Sequence, residues 1–102
     1  MTIAYITCKD RKEAETISMR LLRKKYIACA NIFPIKSMFW WNGKIEKSRE
    51  FAIIAKSSDG NFDRLMKEVI RIHSYKIPCI LKISAEANGS FDKWVNGVLD
   101  DK

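Results

Sequence analysis

At 102 residues, 47% hydrophobic and 30% charged, the chain has room for one folded domain, residues 1–102, and its composition excludes a disordered segment. No apolar run approaches the ~20 residues of a membrane helix, and the apolar start Ile3–Cys8 is too short for a signal peptide. A cytoplasmic protein is expected, with three reduced, buried thiols at Cys8, Cys29 and Cys79, because no C-x-x-C pair suggests zinc or a disulfide framework.

Thr2–Cys8 is nearly all apolar and reads as a strand. Asp10 starts a helix, with Glu13 three residues on in a capping-box arrangement and Ala14, Ile17, Leu21 and Leu22 as its buried stripe. The net charge of +7 invites a nucleic-acid reading. Much of the excess, however, is Arg20, Arg23, Lys24 and Lys25 at this helix's end, where positive charge offsets the helix dipole. Nucleic acid is therefore not expected as a partner, and the short apolar runs give no expectation of a membrane. Tyr26–Phe33 is a second strand. Pro34 predicts a bulge or a sheet edge, and the strand resumes over Ile35–Trp41.

Asn42-Gly43 is a strong hairpin signal, since both residues tolerate the positive φ of a type I′ turn. The return strand runs over Lys44–Lys56. Ser57-Ser58-Asp59-Gly60 opens a second helix with Phe62, Leu65, Met66, Val69, Ile70 and His73 at helical spacing. Pro78 ends that region, Cys79–Ser84 is a fourth strand, and Ser90 is expected to cap a last helix bearing Phe91, Trp94, Val95 and Val98. The order predicts an α+β fold: a ferredoxin-like βαββαβ antiparallel sheet with a long hairpin between its second and third strands and a C-terminal helix.

Two consequences follow from that order. Strands Ile3–Cys8, Ile27–Phe33 and Phe51–Ala55 are apolar on both faces, whereas both main helices cover only one, so a second copy of the chain is expected on the other. The strand from Ile27 to Trp41 would span on the order of 50 Å at about 3.3 Å per residue, roughly twice the reach of the first helix. Its tip must overhang, and Phe39, Trp40 and Trp41 there are an interface composition.

Signals for chemistry are thin. His73 is the lone histidine, on an apolar helix stripe, and reads as a hydrogen-bonded core or interface residue rather than a base. No nucleophile elbow, H-E-x-x-H, Walker or G-x-G-x-x-G motif occurs, so no enzyme is expected. Cys8, Cys29, Cys79, His73 and the four methionines include soft ligands suited to copper, and His73, Cys29 and Cys79 are the candidates for copper or another divalent cation. The alternative is an RRM-like module for single-stranded RNA. Arg49, Phe51 and Ala52 match the third-strand signature of such domains, while Glu50, Ile53 and Lys56 depart from it.

Several segments together resemble the CutA family of divalent-cation tolerance proteins, over nearly the whole chain. They are Tyr26–Ile32, Phe39–Glu46, Glu50, Lys56, His73-x-Tyr75-x-x-Pro78, Asn88 and Trp94. The resemblance implies a trimer whose hairpins extend the neighbours' sheets, with Phe39, Trp40 and Trp41 at the interface. It also implies a PII-like architecture, a role in metal tolerance or signalling with a partner, copper binding in some members and no enzymatic reaction. A ligand cleft at a subunit junction is expected near His73, with Lys56, Tyr75 and Glu50. Three positions depart from the family's usual pattern: Ser74 stands where a proline is usual, Lys76 follows the tyrosine, and Cys79 stands where relatives often have glutamate. Copper-binding members place a cysteine nearer Ile6 and a second histidine at Ile72, so His73 alone carries over.

Overall fold

A computed structural model describes residues 1–99. The elements run β1 (Thr2–Cys8), α1 (Arg11–Arg23), β2 (Cys29–Trp41), β3 (Lys44–Ser57), α2 (Asp59–Ile72), β4 (Ile80–Ser84) and α3 (Gly89–Val98). The strands form one antiparallel sheet in the order β2-β3-β1-β4. This is the expected split βαβ arrangement.

Alternation along β1 divides the sheet's two faces. Thr2, Ala4, Ile6 and Cys8 are buried, while Ile3, Tyr5 and Thr7 are half-buried. Ala4, Ile6 and Cys8 pack with Ile53 and Ala55 of β3, with Ala14, Ile17 and Leu21 of α1, and with Leu65 and Val69 of α2. The α1 start is the expected capping box: Asp10 Oδ1 accepts the Glu13 N–H at 2.8 Å, and Glu13 Oε1 accepts the Lys9 N–H at 3.0 Å. Helix α1 is closed just past its C-cap Lys24 by Lys25, whose φ is 59°. The Tyr26 N–H returns to the Leu21 carbonyl at 3.1 Å. That closure uses up Tyr26, so β2 starts at Cys29 rather than at Tyr26.

Asn42 and Gly43 both have positive φ, 50° and 74°, as a type I′ turn requires. The turn sets an unbroken register from Trp41↔Lys44 to Cys29↔Lys56, with Pro34 opposite Phe51. Of the two outcomes expected at Pro34, a bulge does not occur. Strand β2 is a sheet edge, where a missing N–H has no strand to serve on the open side. In α3 the N-cap residue is Asn88, not Ser90, and Val95 is its buried residue, with Trp94 exposed.

Strand β1 pairs with β3 only over Phe51–Ser57. Residues 35–50 therefore continue as a two-stranded arm past the end of β1, by about 23 Å at ~3.3 Å per residue. Met38 and Trp40 on the arm are 70% and 71% exposed. The sheet face away from α1 and α2 carries half-buried Ile3, Tyr5, Phe33 and Ile54, and exposed Leu81 and Ile83.

The RNA-binding alternative fails on strand parity. Phe51 is cross-strand to Cys8 and packs against the core under the helices, with the Arg11 guanidinium 5.5 Å from its ring centroid. Ile53 is fully buried. Neither can stack a base on the open sheet face. No helix among the described residues is long and apolar enough to cross a membrane.

Candidate functional site

The site forms where the end of α2 crosses the end of β1. His73 leaves the helix with its N–H on the Val69 carbonyl at 2.8 Å and extended φ and ψ of −73° and 144°. Its side chain is wholly buried. Nδ1 accepts the Tyr75 N–H at 3.0 Å, so Nδ1 carries no proton, and Nε2–H donates to the Thr7 carbonyl at 2.8 Å. Both ring nitrogens of a neutral imidazole are thereby used, which is the hydrogen-bonded role read from the sequence.

Glu13 extends its capping role across this junction. Its Oε2 accepts the Ser74 N–H at 2.8 Å and lies 3.9 Å from His73 Nδ1. Burial works against the Glu13 carboxylate, but hydrogen bonds from Lys9 and Ser74 hold its pKa below the ordinary glutamate value. Cys8 ends β1 beside both: one ligand atom each from Cys8, Glu13 and His73 lies within 4.8 Å of the others. Burial first, then the charges of Glu13, Glu50 and Asp10, push the Cys8 thiol up to about 12.

Tyr75 joins this cluster to the arm. Its hydroxyl donates to Glu50 Oε2 at 2.6 Å, and Glu50 is buried. Burial and the Glu50 carboxylate raise the phenol's pKa well above its usual value. The Tyr75 ring centroid is 4.8 Å from that of His73. Between the arm and the 75–79 loop lies a cleft of about 910 Å³, with Phe39, Trp41 and Glu50 on one wall and Tyr75, Lys76 and Cys79 on the other. That volume suits a small molecule.

Of the residues expected from the sequence, His73, Tyr75, Glu50 and Cys79 gather here. Cys29 and Lys56 do not. They pair with each other across β2 and β3, and Lys56 pairs with Ile3 at the far end of β1. Lys56 lies six residues from Glu50 along β3, about 20 Å at ~3.3 Å per residue, and its amine donates to Asn31. Within one chain Cys29 is thus far from His73, and Lys56 lies outside this cleft. Sequence reasoning counted Cys8 among the soft ligands without placing it beside His73, and it missed Glu13, which was visible only as a capping residue.

A sequence model of the family described as CutA1 divalent ion tolerance protein matches residues 2–98. The chain belongs to the CutA divalent-ion tolerance family. The divalent-cation tolerance protein CutA of Archaeoglobus fulgidus is 47% identical over 97 residues, 94% of this chain and 95% of that one. A structure of CutA from that organism, described as periplasmic, matches at TM-score 0.94 and 46% identity, covering 98% of this chain and 100% of the other. A crystal structure of CutA1 from Pyrococcus horikoshii matches at TM-score 0.94 and 32% identity, covering 98% and 99%. An apo structure described as the PII-like protein CutA of Nostoc sp. PCC 7120 matches at TM-score 0.92 and 23% identity over all of both chains, which shows a shared fold.

The CutA relatives' names speak of divalent cations, and the donors at this junction can be weighed against one. Thiolate, imidazole and carboxylate are donors that Zn(II) and Cu(II) accept. A ring N–H held by a backbone carbonyl, as His73 Nε2–H is by Thr7, is the outer contact that orients a ligating imidazole. Cys8, Glu13 and His73 fit such a cation, provided that the sulfur gives up its proton on binding.

Proposed function

We propose that this chain is a non-catalytic binding protein of divalent-cation tolerance, working in the cytoplasm as a homotrimer with a PII-like signalling role. A small ligand or metal ion is held at the subunit junctions, beside His73, Tyr75 and Glu50, and the occupied trimer is read by a partner protein. The observation that carries this reading is the arm. It leaves its own domain with Met38, Phe39, Trp40 and Trp41 on its surface, while Leu81 and Ile83 stand half-exposed on the opposite edge strand of the sheet. Burying one such aromatic or aliphatic side chain contributes about 1.5–3 kcal/mol. Covering several of them by neighbouring copies is thus a large driving force, and it brings a second subunit to each cleft.

The non-catalytic part is supported by the site's chemistry. Both His73 nitrogens are engaged, and the Cys8 thiol is held protonated far above neutral pH. No nucleophile here has a base ready to activate it.

Native mass spectrometry tests the assembly. The expected mass is three times that of the 11.9 kDa chain, and Trp40→Glu with Trp41→Glu should give monomers. A wild-type monomer at micromolar concentration overturns the trimer. Calorimetric titration of Cu(I), Cu(II) and Zn(II) into wild type and His73→Ala tests the ligand part. Identical isotherms for the two proteins remove His73 from it.

A further inference from the structure

The cation donors at the junction are also the acceptors that hold the cleft's loop. Glu13 Oε2 accepts the Ser74 amide, and His73 Nδ1 accepts the Tyr75 amide. The two acceptors differ in capacity. A carboxylate oxygen has two lone pairs and can keep Ser74 while binding a metal. A neutral imidazole has one free lone pair, so Nδ1 can serve the Tyr75 amide or a metal ion, not both. Nε2 is not a substitute, because its N–H satisfies the Thr7 carbonyl.

We infer that a divalent cation of the zinc or copper type, held by Cys8 Sγ, Glu13 and His73 Nδ1, displaces the Tyr75 amide and so loosens the 74–79 loop that walls the cleft. The inference rests on the metal-tolerance reading of this site and adds a mechanism to it. As the sulfur–metal bond forms, the thiol proton leaves to solvent. The Tyr75 N–H then turns to water, and the loop keeps one strong tie to the arm, the Tyr75–Glu50 hydrogen bond. Metal occupancy at the buried junction is thereby transmitted to Tyr75, Lys76 and Cys79, which line the open cleft. The coupling is reciprocal: anything that weakens the Tyr75 amide's bond to His73 Nδ1 must tighten the cation. Tyr75→Phe removes a tie that the metal-free and metal-bound states both keep, so it should leave the affinity within about twofold of wild type.

The test uses the full chain and Co(II) as a spectroscopic stand-in for Zn(II). Wild type should develop thiolate-to-cobalt charge-transfer absorption, and Cys8→Ser should not. Glu13→Gln keeps an oxygen for the Ser74 amide but loses the charge, and it should weaken binding at least tenfold without unfolding the protein. Amide hydrogen exchange supplies the second readout. Saturating Zn(II) should accelerate exchange at Tyr75 at least tenfold in wild type and leave it unchanged in Cys8→Ser. Binding that ignores Cys8 and Glu13 overturns the site. Binding that depends on them but leaves Tyr75 exchange unchanged overturns the coupling. Light scattering on the same samples separates both failures from a failure of the trimer, which shows as a change in mass.

Discussion

Replacing Tyr75 by Phe removes one oxygen and asks how strongly the 74–79 loop is tied to the arm. The hydroxyl donates to Glu50 Oε2 at 2.6 Å, and Glu50 is only 7% exposed. The phenyl ring keeps its place against His73, so little packing is lost. What remains is a buried carboxylate oxygen without its donor. Hydrogen bonds to such groups are worth about 1.5–3 kcal/mol. For a domain of this size, 1 kcal/mol moves Tm by roughly 4–8 °C, so Tyr75→Phe should lower Tm by on the order of 10 °C. Urea unfolding at pH 7 gives the free energy directly. Glu50→Gln and the double variant complete a cycle whose coupling term should be about 1–2 kcal/mol. A cost below about 0.5 kcal/mol for Tyr75→Phe, or additive single effects, would falsify the assignment of this bond as the loop's anchor.

Three further outcomes are expected. The folded-state pKa of Glu13 is lowered from 4.5, so the unfolded chain binds the extra proton, and this stability is present above pH 4.5 and lost as pH falls through the folded value. Glu13→Gln should flatten the acid limb of a Tm–pH curve, and an unchanged limb counts against the loop clamp. Cys8 has the opposite sense: its thiol stays protonated when folded, up to about 12, while the unfolded thiol ionises near 9.0. Stability should therefore fall as pH rises through that window, less steeply in Cys8→Ala, as thermal scans in alkaline buffers will show. Gly43→Ala meets no atom within 4 Å, yet it forces an alanine to φ +74°, so a loss of about 1–2 kcal/mol in urea unfolding is expected from the backbone alone.

Local signals carried much of the architecture. Asn42-Gly43 announces its turn because positive φ is a property of those two residues, and Asp10 with Glu13 announces a helix start because the capping bonds span three or four residues. The element order, the apolar β1 and the overhanging arm follow from periodicity and length. Boundaries were less legible where tertiary demands entered. Tyr26 looks like a strand residue but is used in closing α1, and Pro34 sits in register because β2 is an edge.

The site divides the same way. His73, Tyr75 and Glu50 stood out by residue type and by their place in a familiar pattern. Lys56 and Cys29 stood out too, and they lie at the other end of the sheet, because one strand's length separates residues that look close in sequence. The companions of His73 come from sequence separations of 66 residues to Thr7 and 61 between Glu13 and Ser74. No periodicity or motif reports such a pairing. It exists because α1 and α2 pack side by side on one face of the sheet, bringing the start of one helix and the end of the other to the last residue of β1. The sequence alone thus determined which segments form strands, helices and the hairpin. Only the packing of those segments decided which side chains share a buried junction, and so which chemistry is available there.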